Sequence, residues 1–232
     1  MRRLVLLAAM LSTAASAQST LAYSGGWTET AVGDLLVALP EGYDADPARE
    51  WPLMIFLHGA GERGGDLAMV GVHGPLKERR QGRDLPFVIV APQVPTGQRW
   101  TVARVAASLD AALAQYRIDT ARVYLTGLSM GGFGTWEAIT RMPDRFAAAV
   151  PICGGGLPLG VGPAAGVPVW AFHGAMDTVV PIEQTIGMVR ALREAGGDVR
   201  FTVYPDAGHD AWSETYANPE VYDWLLGHRL GD

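Results

Sequence analysis

The chain has 232 residues, 49% of them hydrophobic, and a formal net charge of −6. This length and apolar content suffice for one large domain or two small ones, and they exclude an intrinsically disordered chain. The acidic balance argues against a nucleic-acid partner, which would require basic patches. The single cysteine, Cys153, excludes a disulfide within the chain, so stability must come from the core.

The first 17 residues, MRRLVLLAAMLSTAASA, follow the pattern of a secretory signal peptide. Arg2 and Arg3 precede an apolar run, and the small residues 15–17 provide a cleavage site. A membrane anchor is disfavoured, because a spanning helix needs about 20 apolar residues and polar side chains interrupt this run. The sequence therefore predicts a secreted or periplasmic mature chain, residues 18–232, that forms one domain without membrane association.

Short β-rich apolar runs alternate with helical patterns along the mature chain. The predicted strands are 35–39, 53–57, 87–91, 123–126, 147–152, 167–172 and 199–204. Four of them (LMIFL, FVIVA, AAAVPI and VPVWAF) are nearly continuous apolar runs, which is typical of parallel strands covered on both faces. Helical spacing predicts helices near 102–116 and 182–192 and a closing helix in PEVYDWLLGHR. The pattern indicates an α/β fold with a doubly wound, mostly parallel sheet.

Two further segments lie between these elements. The basic run LKERRQGR, residues 76–83, is short and mixed, and we interpret it as a solvated helix end. The Gly- and Pro-rich stretch 154–166 is interpreted as a loop, too short for a helical cap domain.

A serine flanked by glycines follows the predicted strand VYLT. Ser129 lies in the pattern G-x-S-x-G, formed here by residues 127–131, and GGFGTWEAITRM predicts a helix directly after it. The pattern alone is weak evidence in a glycine-rich chain, but a strand before it and a helix after it are the context of a nucleophile elbow. Glycines are needed there because the helix must approach the strand closely.

A serine hydroxyl is a poor nucleophile until a base takes its proton, and an acid must orient that base. Behind an elbow of this kind the acid and then the histidine follow the serine along the chain. His209 follows the last predicted strand, next to Gly208, and is the predicted base. His173 ends a strand and is assigned a structural role, whereas His228 is assigned to the surface or to packing.

The candidates for the acid that orients His209 are Asp144, Asp177, Glu183, Asp198 and Asp206. Catalytic groups of an open α/β sheet gather at the carboxyl ends of the strands. Asp177 follows the run VPVWAF at that end, whereas Asp144 and Asp198 are expected at the opposite end. Asp206 is at the correct end but so close to His209 that a local turn role is favoured. Asp177 is therefore the predicted acid.

An oxyanion requires aimed backbone N–H donors. We predict Met130, which follows the serine, and Ala60 in the loop HGAGERGGD, with Gly61 as the alternative to Ala60. In the same loop, Glu62 and Arg63 form either a local ion pair or part of the surface.

Three tryptophans receive predictions of their own. Trp100 and Trp212 are candidate aromatic walls for a substrate, and buried packing is the equal alternative for each. Trp136, on the helix after the elbow, is expected in the core.

The segments IFLHGAGERGGD, VYLTGLSMGGFGTWEAITRMPDRFAAAVPICGGG, FHGAMDTVVP and GHDAW together resemble the α/β-hydrolase superfamily. More narrowly, the chain resembles secreted esterases of the polyhydroxybutyrate depolymerase and feruloyl esterase type, close to prolyl oligopeptidase catalytic domains and dienelactone hydrolases. The resemblance covers about residues 35–226. It implies a catalytic triad of Ser129, Asp177 and His209. Dienelactone hydrolases carry cysteine at the elbow, so the serine here disfavours their chemistry.

The resemblance implies a serine carboxylesterase that forms an acyl-enzyme. The short stretch 154–166, which leaves no room for a cap domain, predicts an open site suited to bulky or polymeric esters. No cofactor or metal is expected, since the five histidines lack H-E-x-x-H spacing. A serine peptidase of the prolyl oligopeptidase type and a non-catalytic binding protein on the same scaffold are the alternatives. The sequence predicts no oligomeric state.

Overall fold

The computed structural model of the chain describes residues 20–22 and 28–231, so the predicted signal peptide lies outside the described residues. The described part contains nine strands and six α-helices. The strands are β1 (Thr20–Ala22), β2 (Thr28–Val32), β3 (Leu35–Leu39), β4 (Trp51–Leu57), β5 (Val88–Pro92), β6 (Ile118–Leu128), β7 (Ala148–Ile152), β8 (Val169–Gly174) and β9 (Val199–Tyr204). The helices are α1 (Gly74–Arg80), α2 (Val102–Gln115), α3 (Met130–Arg141), α4 (Glu183–Glu194), α5 (Trp212–Ala217) and α6 (Pro219–Leu226).

All nine strands form one sheet in the order β1-β2-β3-β5-β4-β6-β7-β8-β9. The strands from β4 to β9 pair in parallel, while β1, β2 and β3 form an antiparallel edge that joins at β5. The seven predicted strands correspond to β3 to β9, so the predicted mostly parallel sheet is confirmed. The strand β2 escaped prediction because its sequence, TETAV, is polar and mostly only half-buried.

The apolar core lies on both faces of the sheet. Strand β4 is buried along its whole length. Its residues alternate between the two layers, so that Leu53, Ile55 and Leu57 pack on one face. Met54 and Phe56 pack on the other face. This two-sided burial explains the continuous apolar run in the sequence.

Helix α1 is more buried than its sequence predicts. Leu76, Glu78 and Arg79 are buried. The Arg79 guanidinium donates to the carbonyl oxygen of Leu85, and Glu78 accepts a 3.2 Å hydrogen bond from Arg83. The run LKERRQGR does end a helix, as predicted, but only Gln81 and Gly82 in it are exposed, so the predicted solvation is wrong for most of the run. The helix packs against α5, and that contact covers charged side chains that a sequence pattern assigns to the surface.

The connection between β7 and β8 contains two short 3₁₀ helices, Pro158–Gly160 and Gly162–Gly166. Over residues 153–168 there is thus no cap domain above the carboxyl ends of the strands. Within the described part of the chain, no helix combines the length and apolarity that a membrane crossing requires.

Candidate active site

Ser129 occupies a sharp turn between β6 and α3. Its backbone has φ 51° and ψ −116°, a left-handed conformation that is unfavourable for a residue with a side chain. The turn is fixed by a hydrogen bond of 2.9 Å from the Ser129 amide to the carbonyl of Ile152. The strained backbone presents the hydroxyl at the carboxyl end of the sheet, as the elbow pattern predicts.

The elbow glycines are required by close backbone contacts. A Cβ atom on Gly131 would lie 1.9 Å from the carbonyl oxygen of Leu57, and one on Gly127 would lie 2.5 Å from the carbonyl oxygen of Gly131. Real Cβ atoms do not approach backbone so closely. Helix α3 can therefore pack against β4 and β6 only because these two positions lack side chains.

The structure brings Ser129, His209 and Asp177 together from three separate loops. The Ser129 Oγ atom lies 2.9 Å from Nε2 of His209, and Nδ1 of the same ring lies 2.7 Å from Oδ2 of Asp177. The Asp177 side chain is completely buried, while that of His209 is 19% exposed. This chain of hydrogen bonds has the geometry that nucleophile, base and acid require.

Asp177 is held as a carboxylate by its surroundings. Its Oδ1 atom accepts hydrogen bonds from the amides of Val179, at 2.8 Å, and Val180, at 2.9 Å. Burial raises the pKa of Asp177, but the hydrogen bonds from His209 and from these two amides outweigh it and lower the pKa below its ordinary value. Asp177 is consequently ionised at neutral pH and can orient the imidazole of His209.

The loop after β4 contributes the second side of the site. Ala60 begins a 3₁₀ turn, Ala60–Glu62. Ala60, Ser129 and Met130 line one cavity of about 540 Å³. The two residues predicted to donate to an oxyanion therefore lie beside the same cavity as the serine hydroxyl.

Glu62 and Arg63 have separate partners. The guanidinium of Arg63 donates to the carbonyl oxygens of Ala60, at 2.8 Å, and Gln98, at 3.3 Å. Glu62 is buried, with its Oε1 atom 3.9 Å from Nε2 of His73. Neither the ion pair with Arg63 nor a surface position, the two alternatives raised from the sequence, describes Glu62. The loop folds the two neighbouring side chains in different directions.

His58, directly after β4, received no prediction and lies behind the cavity. Its Nε2 atom accepts from the Val94 amide at 2.9 Å, so the proton is on Nδ1, which donates to the Gly59 carbonyl at 2.6 Å. Chiefly through burial, and also through the positive charge of Arg63, the pKa of His58 is lowered to about 4, although the hydrogen bond to Gly59 opposes this. His58 is thus a neutral packing residue.

The three tryptophans occupy different surroundings. Trp100 lines the cavity, is only 5% exposed and donates its indole N–H to the His58 carbonyl at 2.9 Å. Trp212 packs edge-on against the ring of His209, with centroids 5.1 Å apart. Trp136 is fully buried, as predicted. Trp100 therefore both lines the cavity and packs in the interior, and Trp212 supports the His209 ring.

Cys153 lies close to the site but is a poor nucleophile. Burial raises the pKa of its thiol to about 12, and the sulfur donates to the carbonyl of His209 at 3.3 Å. Its sulfur, a ring nitrogen of His173 and a carboxylate oxygen of Asp177 all lie within 4.8 Å of one another. Each of these groups already has a hydrogen-bond partner in the protein. The thiol is thus protonated at neutral pH, unlike the serine hydroxyl that faces an imidazole.

The sheet order, the sharp turn at Ser129 and the placement of Asp177 and His209 after β8 and β9 define the α/β-hydrolase fold. Residues 86–223 match the model of the Dienelactone hydrolase family. The chain belongs to this family. The resemblance seen in the sequence is thereby confirmed at the level of the family and the fold.

Individual relatives agree with this assignment. The chain is 31% identical over 151 residues to a bifunctional acetylxylan esterase/xylanase of Neocallimastix patriciarum, covering 62% of this chain and 22% of the relative. It is 28% identical over 149 residues to acylamino-acid-releasing enzyme 2 of Oryza sativa subsp. japonica, covering 44% of this chain and 19% of the relative. This chain thus spans about a fifth of the length of either relative.

The fold has a counterpart among solved structures. A crystal structure of a thermostable esterase superimposes with a TM-score of 0.76 and 34% identity, covering 92% of this chain and 63% of that one. The described fold is therefore similar to that of a solved esterase.

Proposed function

We propose that this protein hydrolyses carboxylic esters through an acyl-enzyme formed on Ser129. The observation that carries the proposal is the unbroken series of hydrogen bonds from the Ser129 hydroxyl through His209 to Asp177, at 2.9 and 2.7 Å. A neutral imidazole between a hydroxyl and a buried carboxylate can take the hydroxyl proton. Membership of the Dienelactone hydrolase family and the esterase named among its structural relatives support the same reaction class.

The reaction runs in two halves. The Nε2 atom of His209 takes the proton of Ser129 as Oγ attacks the ester carbonyl, and the resulting imidazolium is stabilised by Asp177. The imidazolium then gives that proton to the leaving alcohol, and an acyl-serine remains. In the second half, His209 takes a proton from water as the water oxygen attacks the acyl group. The imidazolium then returns that proton to Oγ of Ser129 as the C–Oγ bond breaks and the acid leaves.

The oxyanion of each tetrahedral intermediate binds the amides of Met130 and Ala60. The Met130 amide lies at the first residue of α3, where the helix N-terminus favours negative charge. The Ala60 amide belongs to the loop across the cavity. Removing one such donor commonly reduces kcat by about 10²- to 10³-fold.

The decisive test compares Ser129→Ala with Ser108→Ala on p-nitrophenyl acetate and butyrate. Ser108 lies on α2, and its hydroxyl donates to the Arg104 carbonyl, away from the site. We expect Ser129→Ala to lose about 10⁵-fold or more in kcat and Ser108→Ala to keep wild-type turnover. Mass spectrometry after treatment with a fluorophosphonate should place the adduct on Ser129. An active Ser129→Ala variant would reject the serine mechanism.

We propose bulky or polymeric esters as the natural substrates, such as acetyl or feruloyl esters on polysaccharides, or polyesters. The cavity of about 540 Å³ is walled by Trp100, Phe133 and Val180 and carries charged groups at Arg99 and Glu137. This size and mixed lining suit an acyl or sugar group larger than acetate. A panel of feruloyl, acetyl-sugar and hydroxyalkanoate esters, ranked by kcat/KM, tests the substrate class.

Peptide hydrolysis is the second candidate, and similarity to an acylamino-acid-releasing enzyme favours it. The same serine can attack an amide, and only the leaving group differs. Cleavage of a peptide p-nitroanilide at a rate matching that of the esters would establish the peptidase. Failure of a folded protein to turn over either substrate would establish a binding protein on this scaffold.

We also propose that the mature protein is secreted or periplasmic. Support comes from the pattern of residues 1–17. Amino-terminal sequencing of the exported protein should begin at Gln18, and a product that keeps its first residues would reject the cleavage.

A further inference from the structure

A second imidazole, that of His173, lies behind the proposed acid. The His173 ring is fully buried, and both of its nitrogens lie close to polar atoms of other residues. Its Nδ1 atom is 2.7 Å from Oγ1 of Thr185. Its Nε2 atom is 2.9 Å from the Val180 carbonyl and 3.2 Å from Oδ2 of Asp177, the same oxygen that accepts from His209.

The hydrogen bonds of the Thr185 hydroxyl determine whether Nδ1 of His173 is protonated. Its Oγ1 atom lies 2.6 Å from the Gly154 carbonyl oxygen, which can only accept a hydrogen bond. The single hydroxyl proton is therefore donated to Gly154. The Nδ1 atom of His173 lies 2.7 Å from the same Oγ1 atom. Because the hydroxyl proton is already used, Nδ1 must be protonated and must donate to Oγ1.

The acceptors around Nε2 of His173 determine in the same way whether that nitrogen is protonated. The Val180 carbonyl has no proton to give, and Asp177 is ionised because its hydrogen bonds lower its pKa. An unprotonated Nε2 would present a lone pair to both oxygens at hydrogen-bond distance, so Nε2 must also be protonated. Either neutral tautomer of His173 leaves one of these close contacts without a proton.

We propose that His173 is a buried, doubly protonated imidazolium that shares the Asp177 carboxylate with His209 and thereby tunes His209 as the base. Its role in catalysis rests on the function proposed above, whereas its protonation does not. His173 is then a positioning residue, since it acts on the reaction through Asp177. A structural role alone, predicted from the sequence, is too narrow.

The surrounding groups are compatible with this charge. Asp177 supplies one compensating negative charge, so the buried pair is neutral overall. From the end of β7, Cys153 contributes a protonated thiol, since burial raises its pKa to about 12. From α4, Thr185 contributes only its hydroxyl oxygen, and from the loop after β9 His209 contacts the same oxygen of Asp177.

The charge on His173 should weaken the hold of His209 on its proton. The Asp177 carboxylate already compensates one imidazolium, so it stabilises a second one on His209 less than a free carboxylate would. The midpoint of the pH profile of kcat/KM should therefore depend on the charge at position 173. A neutral residue at position 173 should move the pH midpoint of kcat/KM upward by about one unit.

Nitrogen NMR of the wild-type protein tests the protonation without any assay of activity. With ¹⁵N-labelled histidine, both ring nitrogens of His173 should resonate as protonated nitrogens from pH 6 to 8. The signals are assigned by their loss in His173→Asn or, if that variant does not fold, by their shift in Thr185→Ser. One unprotonated ring nitrogen at pH 7 would overturn the proposal.

A matched pair at Thr185 tests the effect on catalysis. Thr185→Val keeps the shape but removes the acceptor of Nδ1, so His173 should lose that proton and the kcat/KM midpoint should rise by about one unit. Thr185→Ser keeps the hydroxyl and should retain the wild-type midpoint. Equal midpoints in the two variants would overturn the catalytic half of the proposal. A protein without esterase activity would reject the proposed function and still leave the NMR result decisive.

Discussion

The same tripeptide, His-Gly-Ala, occurs at the carboxyl ends of two parallel strands and yields two opposite environments. Residues 58–60 begin the segment called here the His58 loop (residues 58–63), and residues 173–175 begin the His173 loop (residues 173–180). Both histidines are fully buried. His58 accepts from an amide through one nitrogen, whereas His173 faces only acceptors or a hydroxyl whose proton is already donated.

The contrast shows that burial alone does not decide which donors and acceptors a histidine ring faces. A backbone N–H aimed at Nε2 fixes His58 as neutral, and its pKa is lowered to about 4. Around His173, a carboxylate and a carbonyl occupy the corresponding place. The neighbouring donors and acceptors, supplied by residues outside the tripeptides, give two identical tripeptides different surroundings.

The largest expected effect is in the His173 loop, at Asp177. In Asp177→Asn the amide can no longer hold the His209 tautomer that leaves Nε2 free, and kcat should fall about 10⁴-fold. Asp206→Asn, which changes a carboxylate beside β9, is the control and should retain at least about a tenth of the wild-type kcat. Steady-state kinetics on p-nitrophenyl butyrate decide the matter. Equal losses in both variants would remove Asp177 from the mechanism.

The glycines of the two tripeptides should differ in their tolerance of a side chain. A Cβ atom on Gly174 would lie 2.1 Å from the Gly208 carbonyl oxygen, in the loop that carries His209. One on Gly59 would lie 2.8 Å from the end of the Leu128 side chain, which can move. Gly174→Ala should therefore lower the free energy of unfolding by more than about 4 kcal/mol, and Gly59→Ala by about 1 kcal/mol.

Urea denaturation with both variants measures this difference. Gly61→Ala is the control, because a Cβ atom there meets nothing within 4 Å. A Gly174→Ala protein as stable as Gly59→Ala would show that the loop carrying His209 can move to accept the added methyl group. That result would contradict the close contact between position 174 and the Gly208 carbonyl.

His58 should make stability depend on pH. Its pKa is about 4 in the folded protein, against the ordinary histidine pKa of 6.5, so between these values the unfolded chain binds a proton that the folded chain does not. The contribution of His58 to the free energy of unfolding is complete above about pH 6.5 and is lost as the pH falls toward 4. The total loss is up to about 3 kcal/mol. Urea titrations of wild type and His58→Gln at pH 7.5 and 4.5 isolate this contribution. The variant should lose less stability on acidification, and parallel losses would contradict the neutral state of His58.

The smallest expected effect concerns Trp100, which links the His58 loop to the cavity. Trp100→Phe removes the indole N–H that donates to the His58 carbonyl, and it should cost about 1 kcal/mol of stability and raise KM a few-fold. Trp224→Phe is the control, because Trp224 packs against Trp170 and His228 instead. An unchanged KM in Trp100→Phe would assign this side chain to packing alone.

The sequence predicted the parallel strands and the order of the proposed triad better than it predicted their surroundings. Strands buried on both faces appear as continuous apolar runs. The order of serine, acid and histidine along the chain favoured His209, and the position after the carboxyl end of a strand selected Asp177. Glu62 and Arg79 were misassigned because a charged side chain gives no sign in the sequence of the distant element that covers it. The same limit applies to β2, whose polar residues pair at the edge of the sheet.

Local patterns thus determined the fold class, the elbow at Ser129 and the identity of the residues around it. These features follow from apolar periodicity and from glycine at positions where backbone must approach backbone. Only the tertiary structure decided which donors and acceptors face the two buried histidines, because their hydrogen-bond partners come from other loops and helices. Protonation depends on the donors and acceptors within a few ångströms, and folding alone brings those together.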